Sequence, residues 1–175
     1  MRVGIFEKIS DMLYNTRTIE VRVKSDVLHR AELMCVHAES QNKKDFDLND
    51  FISLLYFDFI KYAVRNYNPR RVLKEATLKN VSSERDNTLK LIVDGKETFH
   101  SKKRIKYETI LFKIENTEAK KGELILSELN DLYNVEITLE ELICNLLTNY
   151  IEDYKYGINK RAYTSVSKLL KTINF

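Results

Sequence analysis

The chain has 175 residues, of which 43% are hydrophobic and 31% are charged, and its formal net charge is +3. This composition is typical of a folded protein with a core and argues against global disorder. Only four glycines and one proline occur, and neither GxGxxG nor GxxxxGK[ST] is present, so the common nucleotide-dependent enzymes are not expected. No apolar stretch approaches the ~20 residues that a membrane-spanning helix needs.

Cellular compartment and metal binding can be judged from a few residues. Glu7 and Asp11 lie where a signal peptide would need its apolar stretch, so secretion is not expected. Cys35 and Cys144 fit neither a CxxC nor a Cys/His zinc spacing, and we expect them to be small core residues. The three histidines are scattered along the chain. We therefore expect a cytoplasmic protein that is not an enzyme and that has no catalytic residue, cofactor or metal site.

Two segments of the chain resemble each other at a constant offset of 91 positions. The first begins TIEVRVKSDVLHRAELMC at Thr18, and the second begins TILFKIENTEAKKGELIL at Thr109. Further along, FDLNDFISLLYFDFI from Phe46 aligns with ITLEELICNLLTNYI from Ile137. Apolar positions coincide, without a gap, through one strand pattern and two helix patterns, which favours one structural unit used twice. The alternative is that any two amphipathic stretches align in part.

The first unit begins with a strand pattern. Residues 18–24 alternate polar and apolar side chains, which predicts a half-buried strand. Two helices with apolar residues at helical spacing follow. We expect Ser25 or Asp26 to cap the first helix and Asp47 or Asn49 to cap the second.

The second unit repeats this order. Its strand is expected over residues 109–114, followed by a helix capped by Asn116 or Thr117 and a helix with a Thr138–Glu141 capping box. One strand with two helices leaves both strand edges unpaired, and about 45 residues bury too little surface to be stable alone. We therefore expect the two strands to pair antiparallel above four helices, as an intramolecular pseudo-dimer.

The sequence divides into five segments on this interpretation. Between the units, TLKLIV and KETFH flank Asp94-Gly95, which predicts a β-hairpin with a type I′ turn. The segments are an N-terminal helical extension (1–16), unit one (17–66), a linker with the hairpin (67–106), unit two (107–156) and a basic C-terminal tail (157–175).

The repeated pattern resembles the ribbon-helix-helix family of DNA-binding proteins, the Arc/MetJ class. The residues that carry the resemblance are IEVRVKSDVL from Ile19, DLNDFI from Asp47, and their counterparts ILFKIENTEA and TLEELI. Two units in one chain are similar to the TraY type of plasmid relaxosome protein and to some viral and plasmid repressors. The resemblance implies a mainly α fold with a short antiparallel two-stranded ribbon, and double-stranded DNA as the partner.

The resemblance also implies which side chains contact DNA. The family reads base edges in the major groove with the outward side chains of the ribbon, which here are Thr18, Glu20, Arg22, Thr109, Leu111 and Lys113. The second helices and nearby basic residues would contact the DNA backbone, through Arg17, Leu48, Asn49, Asp50, Lys102, Lys103, Arg104, Lys106, Leu139 and Glu140. Glu140 and Glu141 depart from the neutral or small residues usual in the family.

The sequence thus predicts a site-specific double-stranded DNA-binding protein. It would act as a transcriptional regulator, such as a repressor, or as an accessory factor at a plasmid transfer origin. Its partners would be DNA, further copies of itself on adjacent half-sites, and, in the second role, a relaxase or another protein. The alternative is a helical protein-interaction module, in which the charged side chains of the ribbon are simply solvated.

Overall fold

A computed structural model describes residues 15–42, 45–65, 67–78, 88–93, 96–101 and 105–155 of the protein. The elements are, in chain order, β1 (Thr16–Lys24), α1 (Ser25–Asn42), α2 (Leu48–Arg65), α3 (Pro69–Ala76), β2 (Thr88–Val93), β3 (Lys96–Ser101), β4 (Tyr107–Glu115), α4 (Asn116–Tyr133) and α5 (Leu139–Lys155). A mainly helical fold with a short two-stranded antiparallel ribbon is therefore confirmed. No helix within these ranges is long and apolar enough to cross a membrane.

The ribbon is formed by β1 and β4, which pair antiparallel. Ile19 lies opposite Phe112, and Val21 lies opposite Ile110. Side chains alternate between the two faces, so these apolar residues share one face, where Ile19, Val21 and Phe112 are each at most 2% exposed. The helices cover this inner face, and the opposite face of the ribbon points outward.

The elements recur at the spacing of the sequence repeat. Tyr107 follows Thr16 by 91 positions, and the same difference separates the ends of β4 and β1 and both ends of α4 and α1. Helix α5 also begins 91 positions after α2. Contacts cross between the two segments, because α5 contacts β1 and its counterpart α2 contacts β4. The second helix of each segment therefore packs beneath the strand of the other.

The first amide of α1 donates to the residue just before β4, and the first amide of α4 donates to the residue just before β1. The Ser25 N–H donates to the Lys106 carbonyl at 2.9 Å, and the Asn116 N–H donates to the Asn15 carbonyl at 2.9 Å. Helix α1 already begins at Ser25, and the cap residue of α4, Glu115, makes no side-chain cap bond. The caps predicted at Ser25 for α1 and at Asn116 or Thr117 for α4 are therefore wrong. The carboxylate of Asp26, the alternative for α1, makes backbone hydrogen bonds at Asp26 and Val27 in the first turn.

The linker contains a helix that the sequence analysis did not anticipate. The side chain of Asn68 accepts a hydrogen bond from the Arg71 N–H, and Pro69 occupies the first turn of α3. Asparagine at the cap followed by proline is a typical helix start. Val72 and Ala76 are fully buried on one side of this short helix.

Two asparagines of α5 hold the end of α3. The Asn145 side-chain amide donates to the Ala76 carbonyl at 2.9 Å, and that of Asn149 donates to the Thr77 carbonyl at 2.7 Å. These amides satisfy carbonyls that the end of a helix leaves without intrahelical partners. The linker is thereby fastened to the helix of the second segment.

The linker hairpin is present as β2 and β3, which pair antiparallel with Val93 opposite Lys96. The Asp94-Gly95 turn itself lies outside the described residues, as do most of the N-terminal extension and all of the basic tail (157–175).

A tyrosine and a glycine form a tight contact in the core. Tyr56 is fully buried, and its hydroxyl donates to the Glu118 carbonyl at 2.8 Å. Burial raises the pKa of Tyr56 to about 12, so the phenol stays protonated. A Cβ at Gly122 would overlap this hydroxyl and would lie 2.9 Å from Cδ1 of Leu139. Glycine is therefore required by packing at this helical position.

We predict that Gly122→Ala destabilises the protein in a way that depends on Tyr56. The added methyl group should lower the free energy of unfolding by about 1–3 kcal/mol, because overpacking displaces well-packed neighbours. In a Tyr56→Leu background the hydroxyl is gone, and alanine's better helix propensity, about 1 kcal/mol, should make the same change neutral or stabilising. Chemical denaturation of the four variants measures this coupling, with Ser127→Ala on the exposed side of α4 as a control. Equal effects in both backgrounds would contradict the prediction.

Candidate nucleic-acid interface

The six side chains predicted to read bases lie together on the outward face of the ribbon. Across the two strands they form three pairs, namely Thr18 with Lys113, Glu20 with Leu111, and Arg22 with Thr109. Five of the six are exposed, including Leu111 at 55%, and Thr18 is half-buried. Alternation along two paired strands is what places them on one surface.

The central pair of this face is Glu20 and Leu111, two residues that are themselves 91 positions apart. Arg22 and Lys113, which are also 91 apart, therefore lie on opposite sides of this centre. Each is two residues from it, so their Cα atoms are about 13 Å apart along the ribbon at ~3.3 Å per residue. The two cations of the predicted base-reading set thus occupy equivalent places in two halves of one surface.

Arg22 is held by a tyrosine that the sequence analysis did not include in the site. The guanidinium carbon of Arg22 lies 4.8 Å from the centroid of the Tyr107 ring. Such a cation–π contact stabilises by about 0.5–1 kcal/mol at an exposed position. Extending the strand alternation two residues back from Thr109 would have placed Tyr107 on the same face.

Lys113 is held through its backbone by the first turn of α2. The Asn49 side chain accepts from the Lys113 N–H at 2.8 Å and donates to the Lys113 carbonyl at 3.3 Å. These two bonds imitate strand pairing at the outer edge of β4. The side chain of Asn49, which we expected at the DNA backbone, is thus bonded to the ribbon.

The outer edge of β1 is bonded differently. The Cys144 thiol of α5 donates to the Arg22 carbonyl at 3.2 Å. Burial raises the pKa of the Cys144 thiol, so it remains a protonated donor at neutral pH. Glu140 stands 91 positions after Asn49, so the two equivalent helix starts do not carry the same side chain.

Carboxylates occupy the first turns of both helices that were expected to contact phosphates. In α2 the Asp50 N–H donates to Asp47 at 2.8 Å, and the Asp47 N–H donates to Asp50 at 3.2 Å. In α5 the Thr138–Glu141 capping box is confirmed, with bonds of 3.2 Å and 2.9 Å. Asp47, rather than Asn49, is therefore the cap of α2. These acidic groups satisfy amides and neutralise the positive helix ends that bind anions elsewhere.

The side chains of the two leucines in the expected backbone-contact set pack inward. Leu48 is half-buried, and Leu139 is only 4% exposed. Leu139 therefore has little side-chain surface left for DNA, which leaves its main chain as the group that can contact a phosphate. Asp50 is exposed, and Glu140 is half-buried.

The basic residues of the same set have different surroundings. Arg17 forms an ion pair with Glu123 of α4. Lys106 is exposed, and its backbone carbonyl accepts the hydrogen bond from the Ser25 N–H at the start of α1. Three further cations of the set lie outside the described residues, namely Lys102, Lys103 and Arg104.

No group of three or more histidine, cysteine, aspartate or glutamate side chains within the described ranges is placed to hold a metal ion. Comparisons of the chain with protein-family models, curated protein sequences and solved structures found no match. The function is therefore inferred from the geometry of the ribbon and its surroundings.

We predict that Asn49→Ala loosens the outer edge of β4. The change removes two hydrogen bonds, each contributing about 0.5–1.5 kcal/mol, so the free energy of unfolding should fall by about 1–2 kcal/mol. Amide hydrogen exchange at Lys113 should become faster, because its N–H loses its acceptor. The same replacement at the exposed helical position Asn130 is the control and should not lower stability. Unchanged exchange at Lys113 would contradict the assigned contact.

Proposed function

We propose that the protein binds specific sequences of double-stranded DNA by inserting the outward face of the β1–β4 ribbon into the major groove. The observation that carries the proposal is this face, where six exposed or half-buried side chains project from a two-stranded ribbon whose other face is packed on helices. The major groove is wide enough for a two-stranded β-ribbon, and it presents a distinct pattern of donors and acceptors for each base pair.

We further infer that segments 17–66 and 107–156 are two ribbon-helix-helix units that form an intramolecular pseudo-dimer. Three observations support this. The elements recur at an offset of 91 positions, α2 and α5 each contact the strand of the other segment, and the first amides of α1 and α4 make equivalent hydrogen bonds. In such an arrangement the two strands present two half-surfaces to one DNA site.

The side chains of the outward face suit particular base edges. Arg22 can bond guanine O6 and N7 in bidentate fashion, and Lys113 can donate to the same atoms. Glu20 can accept from cytosine N4, and Leu111 can contact a thymine methyl group. Because equivalent positions carry different residues, the site would be an imperfect palindrome or an asymmetric sequence.

The two cellular roles differ in the partners they need. A repressor needs only its operator, whereas an accessory factor at a transfer origin also needs a surface for a relaxase or another protein. In either role, further copies would occupy adjacent half-sites about one helical turn apart.

One observation favours the second candidate function, a helical protein-interaction module without specific DNA binding. Carboxylates stand at the starts of both α2 and α5, where a DNA-binding helix would present amides to a phosphate. Basic protein partners would tolerate these groups better than DNA would.

Selection of binding sites from a random duplex pool, with the purified full chain at two salt concentrations, tests the proposal. We expect a reproducible motif of about 8–12 base pairs, which is roughly the span of paired half-sites. Affinity should fall steeply with salt, because counterions are released from the contacted phosphates. Recovery of no motif, together with loss of all binding at moderate salt, would leave the interaction module as the better explanation.

We predict that Arg22→Ala and Lys113→Ala each lower discrimination at different base pairs of the selected motif. A good bidentate contact contributes about 1–3 kcal/mol of discrimination, so Arg22→Ala should reduce it roughly 10-fold to 100-fold. Competition binding with singly substituted duplexes measures this. Arg30→Ala and Lys120→Ala, which remove exposed cations from α1 and α4, serve as matched controls. Specific binding that survives the double replacement of Arg22 and Lys113 would rule out the ribbon as the recognition element.

A further inference from the structure

We infer that Tyr107 is a positioning residue that fixes Arg22 for base recognition, so that one half of the ribbon discriminates bases more strongly than the other. This inference rests on the proposed DNA-binding function and identifies a specificity determinant of the same surface. It starts from the 4.8 Å separation between the Arg22 guanidinium carbon and the Tyr107 ring centroid.

The contact spans the two strands diagonally. Arg22 lies opposite Thr109, and Tyr107 is two residues further along β4 on the same outward face. Diagonal neighbours of this kind are within reach of long and aromatic side chains. The ring, which is 43% exposed, therefore restrains the arginine at the rim of the surface and leaves it accessible from outside.

A restrained guanidinium loses less conformational freedom when it binds a base. An unrestrained arginine must give up its rotamer freedom on complex formation, whereas a stacked one has lost part of it already. Bidentate recognition of guanine also depends on the orientation of the guanidinium plane. Both effects increase the difference in affinity between the correct base and a wrong base at the position that Arg22 reads.

The equivalent place in the other half has no such ring. Thr16 stands 91 positions before Tyr107, and Lys113 takes the place of Arg22. Threonine has no aromatic face, and lysine is a flexible point charge without a planar fork. Among the described residues, a planar cation and an aromatic support therefore meet at Arg22 and Tyr107 but not at the equivalent Lys113 and Thr16, which gives the ribbon a preferred direction on an asymmetric site.

The test compares Tyr107→Ala and Tyr107→Phe with wild-type protein on the selected motif. Arg22→Ala first identifies the base pairs that depend on Arg22, and Lys113→Ala identifies those that depend on Lys113. We expect Tyr107→Ala to reduce discrimination roughly threefold to tenfold at the Arg22-dependent base pairs, and to leave the Lys113-dependent ones unchanged. Tyr107→Phe, which keeps the ring, should stay within about twofold of wild type.

Two controls separate positioning from general damage. Tyr67→Ala removes an exposed tyrosine away from the ribbon and should change neither set of base pairs. Thermal unfolding of each variant, followed by binding at a temperature where all are folded, accounts for any loss of stability.

The outcomes distinguish this inference from the proposed function. Unchanged discrimination in Tyr107→Ala, or an equal loss at all base pairs, would overturn the positioning role while leaving DNA binding by the ribbon intact. The absence of any motif with wild-type protein, or a motif insensitive to both Arg22→Ala and Lys113→Ala, would overturn both. A selective loss at the Arg22-dependent base pairs, rescued by phenylalanine, would establish the inference.

Discussion

The pairing of β1 with β4 is the constraint on which the rest of the structure depends. A two-stranded ribbon is at best marginally stable alone, and here it is stabilised because Ile19, Val21 and Phe112 bury one of its faces on the helices. The same pairing brings the carbonyls of Asn15 and Lys106 to the starts of α4 and α1, where they bond the first amides. It also determines which side chains share the outward face. Core, helix starts and candidate interface therefore depend on the same strand pairing between segments that are far apart in sequence.

The two halves of the structure share a backbone arrangement but carry different side chains at equivalent positions. Tyr56 packs on Gly122, whereas the positions 91 residues away carry Leu147 and Ala31, both fully buried. A large and a small residue thus replace two of intermediate size, which keeps the core filled. On the surface, one strand edge is bonded by an asparagine amide and the other by a cysteine thiol. Two identical chains could not diverge in this way, so a single chain with two unequal halves is suited to an asymmetric target.

The alternation of polar and apolar residues, together with the repeat, predicted the two ribbon strands and their pairing. The alternation in 18–24 and 109–114 predicted two half-buried strands, and the offset of 91 predicted that they pair, because neither could close a core alone.

Local sequence signals were less reliable where a group far away in sequence makes the hydrogen bond. The caps at Ser25 and Asn116 were misplaced because distant carbonyls bond the amides of these two residues, so that α1 and α4 already begin there. The role of Asn49 was not foreseen because its partner lies 64 residues away. Helix α3 was not predicted although Asn68 and Pro69 are a typical helix start, because a helix of eight residues depends on the tertiary packing of Val72 and Ala76. The six outward residues were predicted from their face alone, and their individual contacts, such as that of Arg22, required the structure.

The acidic helix starts bear on how the proposed DNA binding would divide between tightness and selectivity. Helix N-termini contribute to affinity through phosphates whatever the base sequence. Here Asp47 accepts from the Asp50 N–H in the first turn of α2, and Glu141 accepts from the Thr138 N–H just before α5, so both helix starts carry negative charge. If the ribbon enters the groove as proposed, this negative charge lowers affinity for all duplexes alike, whereas the base contacts of the ribbon raise affinity only for the correct sequence.

Competing sites in a genome are numerous, so the ratio of specific to non-specific affinity matters more than the affinity itself. Weak phosphate contacts at the helix starts are therefore compatible with selective recognition, provided that the ribbon side chains supply most of the discrimination.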